Sequence, residues 1–177
     1  SCSACHLVHQ SDAALSNKGE TSVCYTCHWT VRAELYNASA HPVRAGTLTC
    51  NDCHDSHGSA GPALLRSLTL NQNCYECHAE KRGPFLWEHA PASEDCTLCH
   101  RVHGSNHQAL LNKQGPQLCQ QCHADIRTQG GGRHIRNFLD FDDTDPGRAR
   151  FKVGMNCANC HSKVHGSNHP SGAGLQR

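Results

Sequence analysis

The stretch Cys50-Asn51-Asp52-Cys53-His54-Asp55-Ser56-His57-Gly58 decides how the rest of the chain is read. Its first five residues, Cys-x-x-Cys-His, recur at Cys2-Cys5-His6, Cys24-Cys27-His28, Cys74-Cys77-His78, Cys96-Cys99-His100, Cys119-Cys122-His123 and Cys157-Cys160-His161. Together the seven copies take up all 14 cysteines of a 177-residue chain. Residues i and i+3 of a helical turn share a face, so two thiols at this spacing add to the two vinyl groups of one porphyrin while the next histidine reaches its iron. The pattern is the attachment signature of haem c. A disulfide framework, structural zinc knuckles or thioredoxin-like pairs would each explain Cys-x-x-Cys, but none needs a histidine directly behind it, and all seven copies have one. The expectation is seven covalently held haems c, with His6, His28, His54, His78, His100, His123 and His161 as proximal ligands.

Composition points the same way. Of the 37% of residues that are hydrophobic, 14 are the cysteines committed to thioether bonds, and Phe, Tyr and Trp number four, three and two. A chain so poor in apolar side chains would stay disordered unless something else filled its interior. One porphyrin for about every 25 residues does so, which couples folding to haem attachment. The polypeptide charge of +1 speaks for neither nucleic acid nor an anionic membrane as partner. With two propionates per haem, the holoprotein is expected at about −6 oxidised and about −13 reduced. No apolar run reaches the 18 or more residues of a membrane span. Haem is attached to this motif outside the cytoplasm, so an export signal is expected to have been removed from an exported, periplasmic, outer-membrane-associated or extracellular protein.

Two kinds of motif alternate. Behind the first, third, fifth and seventh, another histidine follows almost at once, at His9, His57, His103 and His165. Behind the second, fourth and sixth it comes 13, 11 and 11 residues later, at His41, His89 and His134. The repeat is thus a pair of haems with periods of 48, 46 and 61 residues, giving one domain over 1–177 built of units near 1–49, 50–95, 96–156 and 157–177, with an insertion at 130–154. Helices are expected over Ser22 to Asn37, Thr69 to Arg82 and Pro116 to Arg127. The odd motifs should be single turns closed by Gly58, Gly104 and Gly166 in left-handed caps. His41-Pro42, Gly58 to Pro62, Pro91 to Glu94 and Gly104 to His107 read as loops, and no run is long enough for a strand. The fold class is therefore mostly irregular with short α-helices, a haem-packed core and little or no β. The insertion, with its acidic cluster Asp140 to Asp145 and basic cluster Arg148 to Lys152, reads as a solvated loop or a docking patch for a redox partner.

Sixteen histidines less seven proximal ones leave nine. The alternation selects His9, His41, His57, His89, His103, His134 and His165 as distal ligands, and leaves His107 and His169, each closing Gly-Ser-Asn-His, for hydrogen bonds around the haems or for solvent. Met155, the one methionine, is expected to pack beside Cys157, and a haem with histidine and methionine ligands could occur at most once. Two imidazoles on one iron approach from opposite faces, so His57, three residues behind His54, must serve a different haem. Neighbouring positions on a turn put such imidazoles about 5–6 Å apart at Cβ, which would bring the irons they bind to about 10–13 Å. Iron with two imidazoles has no vacant position for substrate and a low potential, which favours electron transfer. A multihaem reductase, the enzyme alternative, would need one open iron; a cytochrome filament, the structural alternative, would lend a distal histidine between subunits.

The alternating CxxCH and CxxCHxxHG units resemble the paired-CxxCH multihaem c-type cytochromes. The close of the chain, Asn156-Cys157 to Cys160-His161 and Val164-His165-Gly166-Ser167-Asn168-His169-Pro170-Ser171-Gly172, is similar to the C-terminal end of the MtrA/DmsE family of decahaem cytochromes, with the NrfB-like pentahaem donors a shorter relative in style. The resemblance implies an elongated, haem-packed molecule with bis-histidine ligation that conducts electrons across the periplasm. It further implies other multihaem cytochromes as partners and an outer-membrane porin around it. Seven motifs stand here where that family has ten, which leaves a truncated N-terminus, a heptahaem shuttle and a polymer subunit as alternatives.

Overall fold

The structure, a computed structural model, describes residues 2–6, 19–123, 156–170 and 172–175. His9, His134, Met155 and the insertion 130–154 lie outside the described residues. All seven motifs share one backbone turn. In each, the histidine N–H donates to the carbonyl of the first cysteine, at 3.0 Å for His100 and 2.9 Å for the other six.

The turns are embedded in two ways. In the odd motifs they are isolated 3-10 turns, Cys2–Ala4, Cys50–Asp52, Cys96–Leu98 and Cys157–Asn159. Short polar side chains fix three of them: Asp52 Oδ2 accepts from the Thr49 N–H at 2.6 Å, Asp95 Oδ1 from Thr97 at 2.7 Å and Asn156 Oδ1 from Ala158 at 3.1 Å. The even motifs close short helices. Helix α1 (Glu20–Tyr25) carries Cys24, α3 (Leu70–Tyr75) carries Cys74, and α5 (Gln117–Gln120), headed by Pro116, carries Cys119.

The helices expected over Ser22 to Asn37 and Thr69 to Arg82 are each broken in two. Helix α1 is followed by α2 (Trp29–Glu34), and α3 by a 3-10 turn, Ala79–Lys81. The break is the motif histidine itself: His28 (φ −95°, ψ 53°) and His78 (φ −107°, ψ 46°) leave the helical region. A histidine that continued the helix would stay in line with the two cysteines. The kink gives it a different direction from the thiols while it opens the next segment. The far end of the expected helix Pro116 to Arg127 lies outside the described residues.

The glycine expectation is corrected. Gly104 has no positive φ, and Gly58 and Gly166, at 133° and 137°, are far from the left-handed helical cap. Gly104 and Gly166 open two-residue strands, β3 (Gly104–Ser105) and β4 (Gly166–Ser167). What excludes a side chain is close approach: a Cβ on Gly104 would clash with the Glu34 carbonyl oxygen, and one on Gly166 would meet the Phe85 ring. The loop expected at Pro91 to Glu94 is the helix α4 (Ala90–Glu94), whose first turn tolerates Pro91 because no intrahelical donor is needed there.

Two compact units result. The first, residues 1–83 and 90–112, holds motifs one to five, α1 to α4 and the antiparallel pairing of β1 (Ser39–Ala40) with β3, Ser39 opposite Ser105 and Ala40 opposite Gly104. The second, residues 84–89 and 113–177, holds motifs six and seven, α5 and the pairing of β2 (Trp87–Glu88) with β4. Among the described residues, four strands of two residues each leave the fold mostly irregular with little β, as the composition implies. Among the described residues the buried apolar side chains are Val23, Leu35 and Leu65, while Trp29, Leu68 and Leu86 are largely exposed. Side chains alone make no core here. No helix among the described residues is long and apolar enough to cross a membrane.

Candidate functional site

Histidines from different motifs face each other. His6 and His57 have ring centroids 5.9 Å apart and planes inclined by 15°; His54 and His103 are at 6.3 Å and 26°. His41 and His78 are at 6.4 Å and 51°, and His89 and His123 at 6.2 Å and 19°. Each pair joins one proximal to one distal candidate two motifs away, backward in the chain for the odd motifs and forward for the even ones. The histidine behind motif three faces motif one, and that behind five faces three. The histidine behind two faces four, and that behind four faces six. Odd and even motifs thus form two interleaved ladders, each skipping one motif.

The second nitrogen of these rings is held by the main chain. His41 Nδ1–H donates to Val102 O at 2.7 Å and His89 to Val164 O at 2.8 Å. His54 donates to Ala63 O at 2.9 Å, His100 to Ala109 O at 2.8 Å, and His161 to Gly174 O. A proton fixed on Nδ1 leaves the Nε2 lone pair for a metal and sets the plane of the ring. At His103 the partner is a carboxylate, Glu34 Oε2, at 3.3 Å. Burial lowers the His103 pKa and Glu34 partly restores it.

Ala63, Ala109 and Gly174 are residues the sequence reading missed. They sit on turns that fold back over the odd motifs: Leu64 O accepts from the Asp55 N–H and Leu110 O from Arg101, both at 2.7 Å, while Leu175 O accepts from Lys163 at 2.9 Å. To aim these carbonyls the backbone goes left-handed at non-glycine residues, Ala63 (φ 50°), Leu64 (59°), Ala109 (54°), Leu110 (58°) and Leu175 (51°). The available signal was the tripeptide Ala-Leu-Leu, which starts nine residues behind His54 and again behind His100.

The cysteines are also brought together in a definite order. Cys24 lies within hydrogen-bonding reach of Cys50, and Cys74 of Cys96. Burial and these neighbours push Cys50 and Cys74 up to about 12. Polar side chains lock the contacts: Glu20 Oε1 accepts from the Asn51 N–H at 2.9 Å, and buried Asn71 accepts from Cys96 N–H at 2.9 Å while donating to Ser93 O at 3.1 Å. Motif two is thereby set against three, and four against five.

These residues fit haem c. A metal–imidazole bond of about 2 Å on either side, plus the half-widths of two rings, makes a centroid spacing of about 6 Å. Each motif offers two thiols, outside any disulfide, next to its histidine. The Tyr25 hydroxyl, shut in near Cys24 and Cys50, is buried with no hydrogen-bond partner, a polar atom that a bound group would have to satisfy. Among the described residues no three of His, Cys, Asp and Glu gather as a shell for a bare ion.

His28 opens α2, and His165 is half-buried in the turn ahead of β4. The two Gly-Ser-Asn-His segments do the same local work, with the N–H groups of His107 and His169 donating to Ser105 Oγ and Ser167 Oγ at 3.0 and 3.1 Å. His169 O also accepts from Trp87 Nε1 at 3.1 Å.

Seven thiol pairs with adjoining histidines, four of them already faced by a second imidazole, define a multihaem c-type cytochrome. The family profile described as "Doubled CXXCH motif" matches residues 1–33, 41–83 and 89–128, and the chain belongs to that family. The multihaem cytochrome MtrA of Shewanella baltica is 46% identical to it over 99% of this chain. The chain spans about half, 52%, of that relative's length.

Proposed function

We propose that the chain is an electron carrier holding seven haems c, one per motif, and passing electrons along them rather than acting as an enzyme. The observation that carries this reading is the set of four imidazole pairs at 5.9–6.4 Å. When bound, each haem supplies a one-electron site whose potential its axial ligands set. His6 with His57, His54 with His103, His41 with His78 and His89 with His123 close both axial positions of one iron each. His28, His100 and His161 are the remaining proximal ligands, and His9, His134 and His165 complete the distal set. The adjoining thiols Cys24 and Cys50, and Cys74 and Cys96, would tether the haems of successive motifs close to each other within the first unit. Haem attachment outside the cytoplasm supports an exported protein working in the periplasm, at the outer membrane or beyond it. The likeness to MtrA supports other multihaem cytochromes and an outer-membrane porin as partners.

The test is electron paramagnetic resonance of the oxidised protein with a haem count by pyridine haemochrome. Seven low-spin ferric haems are expected, and His57→Met should raise the potential of one without reducing the count. A high-spin haem that binds carbon monoxide rapidly in the wild type, or a redox titration unmoved by His57→Met, would overturn the reading.

A further inference from the structure

We propose that Glu34 lowers the reduction potential of the haem held by Cys50 and Cys53, by accepting the Nδ1–H hydrogen bond of its distal ligand His103. The inference rests on the His54–His103 ligation proposed above and adds a residue that tunes it.

The contact is built from several sides. Glu34 is the last residue of α2, and its carbonyl oxygen accepts from the Asn37 N–H at 2.9 Å, which turns the chain toward β1. That same carbonyl presses on Gly104, where a Cβ would clash with it. The pairing of Ala40 with Gly104 ties the segment down from the other end. The backbone of Glu34 is therefore clamped against the residue next to His103, and its side chain has a short path to the ring. The carboxylate oxygen stands 3.3 Å from Nδ1, with both side chains about one-third exposed.

An ionised acceptor makes a stronger hydrogen bond than a neutral carbonyl. It draws the Nδ1 proton away from the ring and makes the ligating nitrogen more basic, which favours ferric over ferrous iron. His41, His54, His89, His100 and His161 meet main-chain carbonyls instead. Glu80 lies 3.9 Å from His78, beyond hydrogen-bonding distance and open to water. In the second copy of the Val-His-Gly-Ser-Asn-His segment, Gly166 abuts the apolar ring of Phe85 where Gly104 abuts Glu34.

Glu34→Gln keeps the shape and removes the charge. In a spectropotentiometric titration of the whole haem-loaded chain, one component should become about tenfold easier to reduce, ~59 mV for one electron. One low-spin ferric signal should change its g-values with it, at constant haem content. Glu34→Asp, which keeps the charge but withdraws it from the ring, should move the same component in the same direction by less, and Glu80→Gln should move none. His103→Ala separates the two layers of the argument. If it yields one high-spin haem while neither Glu34 variant shifts any potential upward, the tuning role is overturned and the ligation stands. If all haems stay low-spin in His103→Ala, the ligation fails and the tuning with it.

Discussion

The Nδ1–H of His41 donates to the carbonyl oxygen of Val102, and the residue that follows Val102 is His103. An imidazole of the even ladder is thus oriented by backbone next to an imidazole of the odd one. The bond is repeated between His89 and Val164, which precedes His165. In both cases the histidine behind an even motif is tied to the main chain just ahead of the histidine that trails the motif three further on.

Replacing His41 should therefore be felt in two places. On the proposed ligation, His41→Met keeps a ligand for the iron that His78 holds but loses the Val102 bond. One haem should rise in potential, and the amides of Gly104 and Ser105 should lose hydrogen-exchange protection. Unchanged exchange across 102–105 would show that β3 does not depend on the ligand.

Gly104 and Gly58 make a contrasting pair. An alanine at Gly104 meets the backbone of Glu34, which cannot swing aside, and should destabilise by about 1–3 kcal/mol. At Gly58 nothing lies within 4 Å of the added Cβ, and the positive φ alone limits the loss to about 1 kcal/mol. Denaturant midpoints followed by far-ultraviolet circular dichroism measure both; a smaller loss at Gly104 than at Gly58 would contradict the close approach.

Ala63 and Ala109 hold left-handed backbone for the sake of a carbonyl. Ala63→Gly relieves about 1–2 kcal/mol of steric strain against about 0.5–1 kcal/mol of added chain entropy, so it should stabilise slightly. Ala90→Gly in α4, with no strain to relieve, should destabilise by about 1 kcal/mol. The same unfolding measurement checks both, and loss of stability at Ala63 would mean that the turn is held by its side chains.

The seven turns were legible because a pentapeptide writes each one, and a local spacing marked His41, His57, His89 and His103, the second histidines that face a histidine of another motif. The facing of His57 to His6 or His41 to His78 was not, because imidazoles far apart in sequence meet only through backbone folded between them. Helix ends were misjudged at His28 and His78, where apolar periodicity runs on and the histidine's own φ and ψ end the segment. Gly104 was read as a cap, since a glycine behind a short turn has the same signature whether it serves φ or clearance. Strands two residues long leave no alternation to detect. Glu34 looked like any charge on a short helix, and only the tight pass of its backbone over Gly104 reveals where its carboxylate goes.

The closeness of Cys24 to Cys50, and of Cys74 to Cys96, bears on how such a protein is made. In any compartment that oxidises thiols, a haem-free chain that collapsed early would bring these sulfurs together and could seal them as cross-links between motifs. Biogenesis is therefore a race: the maturation apparatus has to capture each motif while the chain is still open, and overproduction that outruns it should yield mispaired, pale protein rather than a loose apo form waiting for its cofactor.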